Sequence, residues 1–337
     1  MTPSPSSTSL SSPQVIPING IKSSRILQRL VKTGASSWYI CSHPVHQLIS
    51  CFIVLFFIRS GRGDPKQTVI NHGVPEGQMK AMVDMLMGFF DLTEEEKREF
   101  EGKHVLDGIR WGTSFNTSVD KVFFWRDYLK VRVHPEFHCP SKPEGFSEVL
   151  AEYAGAVRKL ARGLLKGISE SLGLEPGYID EAMNMDSSLQ RLTANLYPPC
   201  PQPELAMGMP PHSDHGLLTI LMQNGIGGLQ VHHGGKWVKI DPIPNAFLVN
   251  TGDHLEIMSN GKYKSVLHRA VVNNKDTRIS IILSNGPSLD TVVTPAEQLV
   301  DGESNRAMYI GMKYKDFLEL HQSSVLDGKS GLERVKI

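Results

Sequence analysis

The chain has 337 residues, enough for one large domain or two smaller ones, and its 40% hydrophobic and 21% charged content suits a soluble globular protein. Lys+Arg and Asp+Glu both number 35, so the formal net charge is zero. That balance argues against a nucleic-acid binder working through a broad basic surface and favours a small-molecule partner. Four scattered cysteines, Cys41, Cys51, Cys139 and Cys200, form no C-x-x-C pair; they argue against a disulfide framework and point to a reducing compartment, the cytoplasm.

Residues 1–14, "MTPSPSSTSLSSPQ", read as a disordered Ser/Pro-rich tail without the positive n-region of a secretory signal. The apolar run Cys51–Ile58 is far shorter than the roughly 20 residues of a membrane-spanning helix, so it reads as a buried strand. No membrane association is expected. Helical spacing of apolar residues follows from Glu76, then "TEEEKREF" behind Thr93, a good N-cap with acids in the first turn. Residues 104–143 read as irregular, with one strand at "VFFWRDYL". The strongest helical signal runs from Phe146 to Leu172, with apolar residues every three or four positions and Gly173 as the stop.

From about residue 190 short apolar or alternating runs appear: "RLTANLY", "LLTILMQ", "GLQVHH", "KWVKI", "AFLVNTG", "HLEIM", "SVLHRAVV" and "RISIILS". Such spacing indicates an antiparallel sandwich or barrel of about eight strands. A helical tail follows at "KYKDFLELH". The domain reading is a mainly helical region over 15–190, a β core over 191–311, and a C-terminal helix and tail over 312–337.

The polar knot His212-Ser213-Asp214-His215 lies between prolines and an apolar run. A serine hydrolase would need a strained G-x-S-x-G elbow, which Ser213 lacks, and no glycine cluster completes a nucleotide-binding G-x-G-x-x-G. A metal site fares better. His212 and Asp214 are two apart and share a face on an extended segment. A third donor is available from His268 on another β segment, although a lone histidine in an apolar strand is more often a satisfied core residue. In "RISIILS", alternation puts Arg278, Ser280, Ile282 and Ser284 on one face and Ile279, Ile281 and Leu283 on the other. An inward arginine requires an anion, and its fork suits a carboxylate. Two histidines and one carboxylate leave open positions on an octahedral ion, the pattern of non-haem Fe(II) oxygenases. Fe(II) with Asp214 and Arg278 leaves a charge that a dicarboxylate co-substrate would neutralise.

With these residues the chain resembles the plant-type 2-oxoglutarate- and Fe(II)-dependent dioxygenases, close to the flavanone 3-hydroxylase-like group. The matching elements are "VINHGVP" (69–75), "NLYPPCPQPELAMGMPPHSDHGLLTILMQ" (195–223), "GGLQV" (227–231), "FLVNTGDHLEIMSNGKYKSVLHR" (247–269) and "TRISI" (277–281). The resemblance implies a mixed α and β fold, a double-stranded β-helix (jelly roll) braced by helices. It implies that His212, Asp214 and His268 hold iron, and that Arg278 and Ser280 hold the distal carboxylate of 2-oxoglutarate. Tyr197 and Asn195 would hydrogen-bond the co-substrate; taken alone, Tyr197 is equally a core aromatic. It further implies O2 and a small specialised metabolite as substrates, ascorbate as reductant, a monomer, and hydroxylation or desaturation with release of succinate and CO2. His215 reads as a neighbouring polar residue, His232 and His233 as surface. Phe124 and Trp125 are candidates for the substrate pocket or for plain packing. The alternatives are a catalytically impaired isoform acting as a metal-binding β-barrel binding protein, and a zinc hydrolase, in which the Arg278/Ser280 pair has no role.

One segment departs from the pattern. The family enters "VINHGVP" through a W-G-F-F-like strand preceded by a helix, whereas residues 31–66 here carry neither. We read 31–66 as derived from an unspliced intron or a mispredicted exon boundary. A transcript joining "RILQRL" to a W-G-F-F-like exon is the expected finding; a peptide map of the native protein covering 31–66 would refute it.

Overall fold

The structure is a computed structural model that describes residues 68–102, 104–114, 123–302, 304–322 and 328–337. The Ser/Pro-rich tail, the 31–66 segment, the Cys51–Ile58 run and the cysteines 41 and 51 lie outside the described residues.

In chain order the elements are β1 (Thr68–Val69), α1 (Glu76–Phe90), α2 (Glu94–Arg98), β2 (Ile109–Thr113), β3 (Asp127–His134), α3 (Phe146–Ser171), α4 (Tyr178–Ala182), β4 (Ser188–Tyr197), β5 (Met209–His212), β6 (Leu218–Gln223) and β7 (Leu229–His233). There follow β8 (Lys236–Ile240), β9 (Phe247–Thr251), α5 (Asp253–Met258), β10 (His268–Ala270), β11 (Arg278–Ser288), β12 (Val292–Val293), β13 (Met312–Lys313), α6 (Tyr314–Gln322) and α7 (Ser330–Glu333). A seven-stranded sheet runs β1-β9-β6-β11-β4-β3-β2 and a four-stranded sheet β5-β10-β7-β8, every pairing antiparallel. The two sheets meet over Leu221, Leu229, Val231, Ile240, Leu248 and Val266. This is the double-stranded β-helix that the sequence implies.

The larger sheet has a core on its other face. Ile279, Ile281 and Leu283 of β11 pack there with Leu192 and Ala194 of β4 and with the apolar stripes of α1 and α3. Along α3 the buried positions Phe146, Leu150, Tyr153, Val157, Leu160, Leu164 and Ile168 repeat at helical spacing. Gly173, at φ 78°, ends the helix as expected: its N–H and that of Leu174 return to the Glu170 and Ser169 carbonyls. Thr93 forms a full capping box with Glu96 at the start of α2. The C-terminal helix covers "YKDFLELH" and Gln322, close to where it was read.

Three readings are corrected. "HLEIM" is not a strand but the body of α5, one buried helical turn. A short apolar run of this length cannot be told from a buried strand by periodicity. "VFFWRDYL" contributes only its last three residues to a strand, since β3 begins at Asp127 and runs on to His134. The stretch read as irregular also holds β2, paired with β3 along its length. The large sheet thus takes β1, β2 and β3 from before residue 191, so the helical region and the β core share one sheet.

Leu164 is fully buried on α3, so Leu164→Ala is expected to cost about 2–5 kcal/mol of stability. Thr93→Ala, which removes only the cap, should cost about 1 kcal/mol. Urea unfolding of the two variants against the parent measures both.

Candidate active site

Antiparallel pairing of β5 with β10 sets His212 directly opposite His268, and their rings stand 4.2 Å apart between centroids. Asp214 lies two residues past His212, just beyond the strand end, where its carbonyl accepts from the Asp253 N–H at the start of α5. One carboxylate oxygen of Asp214 then lies 3.8 Å from His212 Nε2 and 3.7 Å from His268 Nε2. Among the described residues these three side chains form the one group of acids, histidines and cysteines clustered closely enough to share an ion.

The two imidazoles are fixed from behind. His212 Nδ1 lies 2.8 Å from the Pro210 carbonyl and His268 Nδ1 lies 3.0 Å from that of Val266. A carbonyl can only accept, so Nδ1 carries the proton in each and Nε2 presents a lone pair. Burial, with the neighbouring His268, pushes the His212 pKa down to about 3, which keeps that ring neutral. With both rings neutral, two lone pairs and a carboxylate oxygen converge. Three acceptors so placed repel one another unless a cation sits between them, and N, N, O donors suit a first-row divalent ion.

The candidate anion clamp lies on the opposite sheet. Arg278 is 1% exposed. Its Nε and Nη2 donate to Gln223 Oε1 at 3.2 and 2.8 Å, and its guanidinium lies over the Tyr197 ring at 4.8 Å. Nη1 is buried and has no hydrogen-bond partner among the described residues. A buried guanidinium with one donor unmet is a receptor for an anion. Ser280, buried one pleat further along β11, receives the Asn195 Nδ2 at 3.5 Å. Gly228 borders the clamp. A Cβ there would come within 3.0 Å of Arg278 Cδ and 2.8 Å of the Val271 carbonyl, so only glycine lets the guanidinium lie where it does.

Both groups open onto one cavity of about 800 Å³. All seven residues singled out in the sequence line it: His212, Asp214, His268, Arg278, Ser280, Tyr197 and Asn195. His215, read as a bystander, lines it too, but its Nδ1 engages the Tyr314 hydroxyl at 2.9 Å and it stands outside the three-residue cluster. His232 is exposed against Trp237, and His233 is half-buried.

Phe124 and Trp125 do not line the cavity; Trp125 is 40% exposed, its Nε1 donating to the Pro198 carbonyl. Arg126, Tyr128 and Lys130 line it instead. Sequence reasoning missed these, together with Gln223 and Arg191. The signal was alternation: Tyr128 and Lys130 share one face of β3, and Arg191, Thr193, Asn195 and Tyr197 share one face of β4. Arg126 also fixes Asn195, donating from Nη1 to its Oδ1 and from Nε to the Ser114 carbonyl.

Residues 187–287 match the family described as the 2OG-Fe(II) oxygenase superfamily, and residues 67–149 match the non-haem dioxygenase in morphine synthesis N-terminal family. The chain is 48% identical over 271 residues to 2-oxoglutarate-dependent dioxygenase 19 of Oryza sativa subsp. japonica, covering 80% of each protein. The chain belongs to the 2-oxoglutarate- and Fe(II)-dependent oxygenase superfamily. Another relative is flavanone 3-dioxygenase 2 of Oryza sativa subsp. japonica, 38% identical over 270 residues, 79% of this chain and 78% of that one. Among solved structures, JOX2 in complex with 2OG, Fe, and JA superposes with a TM-score of 0.76 at 32% identity, covering 80% of this chain and 81% of that one. Fe(II) and 2-oxoglutarate are the cofactor and co-substrate of this superfamily, and the two groups built above suit them in donor type and charge.

Arg278→Lys keeps the charge and loses the fork. It is expected to raise the 2-oxoglutarate concentration for half-maximal turnover by about tenfold or more. Gly228→Ala, which displaces the guanidinium, should act in the same direction. Succinate formation titrated with 2-oxoglutarate checks both.

Proposed function

We propose that the chain hydroxylates or desaturates a small specialised metabolite of flavonoid or phenolic type, in the cytoplasm, with release of succinate and CO2. The observation that carries the reading is the pairing of two features across one cavity: three convergent acceptors on the small sheet, and a buried guanidinium with an unmet donor on the large one. A zinc hydrolase would use the first and leave the second without a role. The similarity to flavanone 3-dioxygenase 2 supports a phenolic substrate. Among the described residues no helix is long and apolar enough to cross a membrane.

Each residue has a part in this reading. The Nε2 atoms of His212 and His268 and the carboxylate of Asp214 hold the iron. Arg278, backed by Gln223 and Tyr197, takes the far carboxylate of 2-oxoglutarate, and Ser280 adds a hydroxyl beside it. Asn195, steadied by Arg126, keeps Ser280 in place. Ferrous iron with 2-oxoglutarate and O2 supplies the oxidation, in which one oxygen atom goes to succinate and the other to the hydroxylated product or to water. The apolar wall of Leu221, Leu229 and Ile282 keeps the reacting end of the cavity poor in water.

Purified protein with Fe(II), 2-oxoglutarate and ascorbate is expected to consume O2 and form succinate. Ala at His212 or Asp214 should abolish this, because the remaining two donors cannot hold the ion. Retained turnover in either variant would refute the ligand set. Iron bound by the parent without 2-oxoglutarate-dependent succinate would favour the binding-protein reading.

A further inference from the structure

The strand that carries His212 lies at the rim of its sheet, with β10 on one side only. Two of its four residues, Pro210 and Pro211, have no N–H to offer a ladder. The pairing with β10 is irregular just past the His212–His268 pair. A metal donor needs a fixed position, and so sparing a ladder needs support from outside the sheet.

The C-terminal segment closes that outer edge. The Gly328 N–H donates to the Pro211 carbonyl at 3.0 Å, and the Ser213 N–H donates to the Gly328 carbonyl at 3.2 Å. These bonds flank His212, which bridges to Gly328 in parallel. Gly328 has φ 54°, in the left-handed region that favours glycine. The next side chain, Lys329, reaches the other two segments. Its Nζ donates to the Ser265 carbonyl at 2.7 Å and to Glu256 Oε2 at 3.2 Å. Ser265 precedes Val266, whose carbonyl orients the His268 ring. Pro211 likewise follows Pro210, whose carbonyl orients His212. Glu256 belongs to α5, the helix onto which Asp214 docks. Residues 328 and 329 thus hold the main chain or the helix behind each of the three side chains.

The segment has its own anchorage. Leu332 and Val335 are fully buried in the main core, and the Val335 carbonyl accepts from the Ile310 N–H at 2.8 Å. Glu256 also accepts from the Ser265 N–H and hydroxyl, the Tyr309 hydroxyl and Lys264 Nζ. Burial raises its carboxyl, but Lys329, Ser265, Tyr309 and Lys264 together hold it down at about 2, so it meets Lys329 as an anion.

We propose that Gly328 and Lys329 form a clasp that sets the spacing of His212, Asp214 and His268, with Lys329 as a positioning residue for the metal site. The inference rests on the assignment of iron to these three side chains and deepens it. The bonds from ring to carbonyl survive without the clasp; what loosens is the distance between the segments that carry them. An ion needs its donors at fixed distances, so the loss is felt in metal affinity before it is felt in folding.

The test uses the full chain, metal-free and then titrated anaerobically with Fe(II), as parent, Lys329→Met, Lys329→Arg and Lys264→Met. Lys264→Met removes the other lysine on Glu256 and leaves Ser265 and the C-terminal segment alone. Lys329→Met is expected to bind Fe(II) about tenfold or more weakly, and its Co(II) form to show a shifted visible spectrum. Lys329→Arg, which can still donate to both partners, should restore most of the affinity, and Lys264→Met should keep it. Equal losses in Lys329→Met and Lys264→Met, or no loss in Lys329→Met, overturn the proposal. Amide exchange of the metal-free proteins gives a second reading. Residues 212–214 and 265–268 should exchange faster in Lys329→Met while α3 is unchanged. Unaltered exchange at those residues overturns the clasp whatever the metal does, and faster exchange in α3 as well marks a general loss of stability and overturns it too. A parent that binds no Fe(II) contradicts the ligand assignment instead, and the exchange alone then decides the clasp.

Discussion

The strict alternation of β11 is the constraint on which the rest depends. Ile279, Ile281 and Leu283 are held in a core backed by α1 and α3, so Arg278, Ser280, Ile282 and Ser284 must face the cavity. A slip of one residue would exchange the two sets. It would put a guanidinium into the apolar layer at a cost of several kcal/mol. The same rows fix β4 and β6 on either side, and hence Asn195, Tyr197, Gln223 and Thr219. The long helix α3 is remote from the chemistry, yet it contributes to the site by making one face of this strand unavailable to anything polar.

The three convergent acceptors are set by a different device. β10 is three residues long and sits between β5 and β7. Its first residue, His268, meets His212 across the ladder, and backbone carbonyls two residues upstream of each ring orient both. The scaffold of the pair is thus main chain, which no side-chain substitution removes. Asp214 depends instead on the turn that docks onto α5.

Much of this was legible in the sequence, for a physical reason. β11 alternates cleanly because one of its faces is apolar throughout, and β4 does so nearly as well. His212 and Asp214 were readable as a pair because they are two residues apart, and His268 because a buried imidazole needs a partner. What escaped reading lay where both faces of an element are occupied or where polarity points inward. β3 presents Tyr128 and Lys130 to the cavity, so its polar face points inward, and the strand was read five residues too early while its partner β2 was missed. α5 is buried all round, so it shows no amphipathic period at all. Gln223 was invisible because its role is to hold another side chain, and no local pattern marks such a role.

His212, Asp214 and His268 belong to the smaller sheet or its adjoining turn, while Arg278 belongs to the larger. Besides the six-residue apolar cluster with Ile282, a smaller one of Tyr197, Cys200, Ala270 and Val272 joins the layers at this end. A ligand that touched both an ion at the three acceptors and the guanidinium would therefore act as a brace between two separately built walls. Its binding free energy adds to the cohesion of the fold by mass action, and the barrel in its working state is a tighter body than the polypeptide makes by itself.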